Sequence, residues 1–122
     1  MTSKLNQIIE EIYAIFSKYS GNANMGGSAA YDDLQAWNQQ LFSKPLRALT
    51  DADLSLFAGK TLTTWGNVSD FKHFLPRMLE LTAQYKTPYE IWLLFDRLEM
   101  ANWRDWEAAE KAAILAFAAK NA

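Results

Sequence analysis

Apolar residues recur along this chain at steps of three and four, the spacing that puts side chains on one face of an α-helix. Leu5, Ile8, Ile9, Ile12, Ile15, Phe16 and Tyr19 follow it and predict a first helix from about Ser3, a suitable N-cap, to Tyr19. The run from Ser20 to Ser28 (S-G-N-A-N-M-G-G-S) holds three glycines and two asparagines and predicts a loop. A second helix is expected from about Ala29 to Phe42, capped by Ser28, with Tyr31, Leu34, Trp37, Leu41 and Phe42 facing inward. Pro45 ends it, and Leu46 and Leu49 anchor a short connector.

Thr50 is placed as an N-cap with Asp51 and Asp53 behind it, where negative charge suits the helix dipole. The third helix is expected to use Leu54, Phe57, Leu62 and Trp65, with Gly66 as the left-handed residue that closes it. A fourth opens at Ser69 or Asp70 and runs to about Tyr85, with Phe71, Phe74, Leu75, Met78, Leu81 and Tyr85 on one face; Pro76 predicts a kink or a restart. Thr87-Pro88-Tyr89-Glu90 reads as a capping box ahead of a fifth helix with Ile91, Trp92, Phe95 and Leu98, ending near Met100. Asn102 or Asp105 opens an alanine-rich sixth that reaches nearly to Ala122 and carries Trp106, Ile114 and Phe117. Strand-like alternation is missing. The expectation is one all-α domain over 1–122, about six amphipathic helices in a bundle or a short stack of antiparallel hairpins.

Composition narrows the function classes. Half of the 122 residues are hydrophobic, and the net charge of −2 comes from Lys and Arg scattered singly, so no basic face for nucleic acid is visible. With no cysteine, disulfides, thiolate metal sites and a cysteine nucleophile are excluded. Glu10 and Glu11 interrupt the first apolar series, and no run approaches a bilayer span, so the chain reads as soluble and cytoplasmic, with no membrane contact. One histidine leaves only carboxylates to complete a metal shell, and no zinc or EF-hand spacing is present. G-x-S-x-G and the G-K-[ST] ending of a phosphate loop are absent as well. No metal or cofactor is expected.

Two clusters stand out. Asp70, His73, Arg77 and Glu80 fall at steps of three and four on the fourth helix. A carboxylate at that spacing could fix the tautomer of an imidazole acting as general acid or base, with Arg77 holding an anion. The same spacing fits a solvated face laced with weak ion pairs. Trp103 and Trp106 flank Arg104 and Asp105 at a helix entrance, where an indole pair could anchor a partner or simply fill core. Trp65 and Trp92 fall on apolar faces and are expected inside.

Thr64-Trp65-Gly66, then Asp70-Phe71 and His73-Phe74-Leu75-Pro76-Arg77, resemble the signature of a bacterial family of small, uncharacterised proteins. Lys44-Pro45-Leu46-Arg47, Leu49-Thr50 and the Trp103-to-Trp106 segment extend the likeness over about half of the chain. The resemblance implies a shared fold and a site around Asp70, His73 and Arg77, and no activity. Many members carry a cysteine cluster just before the K-P-L-R segment; here a Gly-, Asn- and Ala-rich loop stands in its place.

The leading functional expectation is therefore a non-enzymatic helical module with a protein partner, one version being an immunity-type protein that neutralises a toxin. The alternative is a small-molecule or hydrolytic site on Asp70, His73 and Arg77. A third is a dimer formed through the alanine-rich last helix.

Overall fold

All-α architecture holds in the computed structural model, which describes residues 3–84 and 91–121. The described residues form six α-helices: α1 (Ser3–Phe16), α2 (Leu34–Leu41), α3 (Asp51–Lys60), α4 (Val68–Ala83), α5 (Ile91–Met100) and α6 (Ala108–Asn121). Short 3-10 turns at Leu46–Ala48 and Trp103–Asp105 connect them. The most extensive contacts are α1 with α6 and α1 with α4. Helices distant in sequence thus share the core, which is a bundle arrangement rather than a stack of consecutive hairpins. None of the described helices is long and apolar enough to cross a membrane.

Periodicity located the core well. Leu5, Ile8, Ile9, Ile12 and Phe16 of α1 are buried against Phe71, Phe74, Leu75 and Met78 of α4 and Ile114 and Phe117 of α6. At about 25 cal/mol per Å² of apolar surface, each such side chain contributes roughly 1.5–3 kcal/mol before chain entropy is subtracted. Pro76 lies buried inside α4, and the helix continues through it to Ala83 without a restart.

The helix ends differ from expectation for reasons that lie outside the helices. α1 stops at Phe16 because the chain tightens: Tyr19 N–H returns to Phe16 O, and Ser17 Oγ donates to Ala14 O at 2.8 Å. Ser28 does not cap α2. Its hydroxyl and carbonyl close a single turn onto Ala30 and Tyr31, and its N–H donates to Thr64 O at 2.8 Å. With Gly66 N–H on Gly26 O (2.8 Å), this clips the glycine-rich loop to the segment after α3. α3 accordingly ends at Lys60 rather than Trp65. Leu62, at φ 68°, takes the left-handed position assigned to Gly66, while Gly66 (φ 78°) precedes α4. Asn67, not Ser69 or Asp70, caps α4, and α6 starts at Ala108, after a left-handed Asn102 and the 3-10 turn. The Thr50 cap is as expected, forming a capping box with Asp53. The proposed capping box at Thr87–Glu90, Tyr85 and Ala122 lie outside the described residues.

Candidate functional site

The Asp70–His73–Arg77–Glu80 stripe is neither a solvated face nor an assembled relay. Asp70 is buried, and its Oδ2 accepts from Asn67 N–H at 2.9 Å while its own N–H donates to Asn67 Oδ1 at 3.0 Å. Its carboxylate is occupied with starting α4 and has no bond to the imidazole. His73 turns the other way. Its Nδ1 lies 2.7 Å from the carbonyl oxygen of Tyr19, just beyond α1. A carbonyl only accepts, so Nδ1 carries the proton and, in the neutral ring, Nε2 carries the lone pair. The ring is held by parallel stacking on Phe42 (centroids 5.7 Å, 13°) and an edge contact with Phe74.

Arg77 serves structure too. Its Nε donates to Leu49 O at 2.8 Å and its Nη1 to Glu80 Oε1 at 2.7 Å, which also accepts from Tyr13 Oη at 2.7 Å. Burial, and then the bond to Glu80, push the Tyr13 phenol well above its ordinary range. These bonds tie α4 to α1 and to the connector before α3, so a free cation for an anionic ligand is not on offer at Arg77.

Beside His73 is a cavity of about 360 Å³ between the end of α1, the 46–48 turn and α4. Phe16, Leu46 and Pro76 give it an apolar wall, and Arg47 stands at the rim. The Arg47 guanidinium lies 3.7 Å from the Tyr13 ring centroid and grips Glu10 through both outer nitrogens, at 2.8 and 2.9 Å. Among the described residues, no three His, Asp or Glu side chains converge to hold a metal.

The two tryptophans separate. Trp106 is buried, its Nε1 donating to Ala101 O at 2.9 Å and its ring edge-on to Phe16. Trp103 is half-buried, donates to Glu99 Oε1, and borders an apolar groove of about 200 Å³ with Phe95, Leu98, Ile114 and Leu115. Trp65 is buried as expected, its Nε1 bonded to Asn38 Oδ1 at 2.8 Å. Trp92 corrects the expectation: it is 64% exposed. Leu94 and Leu98 supply the buried face of α5, and Trp92 lies about 200° around the helix from Leu94.

Sequence reasoning missed a buried charged cluster. Lys72 Nζ donates to Glu110 Oε1 at 2.9 Å and to Tyr19 Oη at 3.0 Å, and Tyr19 Oη donates to Glu110 Oε2 at 2.5 Å. Glu110 is fully buried, and Lys72 Nζ sits 4.3 Å from the Trp106 ring centroid. Burial works to lower the Lys72 pKa, but the bonds to Tyr19 and Glu110 outweigh it and raise it. Burial likewise works to raise Glu110, and Tyr19 and Lys72 bring it below its ordinary value. A signal was present: Lys72 shares a face with Leu75 and Leu79, and Glu110 with Ala113, Ile114 and Phe117, so each helix carried one charge on its inward side. Tyr19 joins the two clusters, its hydroxyl in one and its carbonyl in the other.

No protein-family model, curated protein or solved structure matches this chain.

Proposed function

We propose that this chain is a non-enzymatic interaction module that receives an apolar protein element on the outer face of α5 and α6. The observation that carries the reading is Trp92, a large indole left 64% exposed on a regular helix. Phe95 lies one turn on from it, and the groove beside Trp103 and the exposed Leu115 continues the same apolar surface. Aromatic side chains in this setting are frequent interface anchors. Neutralising a toxin is one form such an activity takes. A hydrolytic role has less support, since Asp70 is committed to its cap and His73 to a backbone carbonyl.

The test is a quantitative pull-down from the native cell with the wild-type chain and a Trp92→Asp, Leu115→Asp variant. A stoichiometric protein retained by the first and lost by the second supports the module. Equal recovery by both, or no stoichiometric protein with either, rules out this face. Sedimentation of the pure chain reveals whether a second copy is the occupant.

A further inference from the structure

We infer that the cavity beside His73 is a binding site for a small, neutral, largely apolar molecule bearing one hydroxyl group, such as a phenol or a short-chain alcohol. Its volume of about 360 Å³ falls in the range of small-molecule pockets, and like them it combines apolar walls with few polar groups. The other polar side chains, Ser20 apart, are already engaged. Tyr13 Oη donates to Glu80, Tyr19 Oη to Glu110, and Ser17 Oγ to Ala14 O, while Arg47 is held by Glu10. Ser20 is exposed at the rim.

His73 differs from them. The Tyr19 carbonyl fixes the proton on Nδ1, which leaves Nε2 as an acceptor, and no described residue donates to it. The single side-chain polar atom that is both buried and unpartnered among the described residues is Thr61 Oγ1, so Nε2 is within reach of solvent. Gly21 keeps it so. A Cβ at that position would stand 2.9 Å from Nε2 and 2.8 Å from Cδ2, and the φ of 84° is one that glycine adopts without strain. The complement of an oriented, unpartnered acceptor on a residue that lines an apolar cavity is a donor on an apolar body. An anion is disfavoured, because Glu10 already holds Arg47 and Glu80 lies behind Tyr13.

His73 is the only histidine, so its imidazole signals in ¹H–¹⁵N spectra need no assignment. The experiment titrates the intact chain with phenol, toluene and benzoate at neutral pH. Phenol should move the Nε2 resonance saturably, and toluene should bind about three- to tenfold more weakly, the equivalent of one hydrogen bond. His73→Phe, which keeps the ring stack, should erase that preference. Leu46→Trp, which fills the wall, should remove binding of both. Toluene binding as tightly as phenol overturns the inference, as does tighter benzoate binding or no saturable shift with any of the three. The wild-type titration decides the matter even where a variant fails to fold.

Discussion

Lys72 and His73 are neighbours on α4, yet they end in opposite conditions. Lys72 is enclosed, with its ammonium bonded to Glu110 and Tyr19 and lying over an indole. His73 is held just as firmly by its other nitrogen and its stacked ring, but its Nε2 has no donor among the described residues. The comparison teaches that a buried charge, however conspicuous, can be wholly used up by the fold. A half-satisfied ring at a cavity has capacity to spare. The polar group with chemistry left over is the better guide to a site.

Breaking the enclosed side should have the largest effect. Glu110→Ala leaves a buried ammonium without its carboxylate and should cost about 3–5 kcal/mol in urea unfolding, whereas Lys72→Met with Glu110→Leu should recover most of that loss. Equal losses from the single and double variants would mean the pair is not desolvated in solution. The pH dependence has a definite sign on each flank. The depressed Glu110 contributes stability that is complete above its ordinary value of 4.5 and lost as pH falls through the lower folded value. The raised Lys72 contributes stability that is complete below 10.5 and lost as pH rises through the higher folded value. Thermal melts across pH should therefore fall away more steeply on both flanks for wild type than for the double variant.

Next in size is Asp70. Asp70→Ala removes the N3 half of the Asn67–Asp70 capping box and should cost roughly 0.5–1.5 kcal/mol, while the His73 ring ¹H–¹⁵N signals at neutral pH stay in place. Displaced signals would restore the Asp70–His73 relay. His73→Phe should lose about 0.5–1.5 kcal/mol, the worth of one hydrogen bond to Tyr19 O. Trp92→Ala should change stability by no more than about 0.5 kcal/mol, since little of the indole is buried. A larger loss would make Trp92 part of the core and weaken the case for a docking face.

Which of these features could be read from sequence follows from the range of the interactions involved. The α1 stripe and the α4 face are set by local periodicity, and both were legible. The Thr50–Asp53 box is equally local and was also visible. The end of α3 and the start of α2 depend on Ser28 meeting Thr64, a bond between segments with no shared periodicity. His73 was easy to single out as the one imidazole, but its partner is a backbone carbonyl at Tyr19, and carbonyls have no sequence signature. Asp70 misled because spacing gave it reach toward His73, while its own N-terminal neighbour, Asn67, offered two bonds at once. Trp92 misled because an apolar residue inside an unbroken apolar run, Ile91 to Phe95, reads as core whichever side it takes.

The packing of α1 against α6 has a consequence for synthesis. These helices lie at opposite ends of the described chain, so while the polypeptide leaves the ribosome Ile8, Ile9 and Ile12 wait for much of their cover until the alanine-rich segment emerges. A nascent chain paused before Ala108 would therefore present the greasy face of α1 to chaperones, and emergence of Ala108–Asn121 would let the bundle shut.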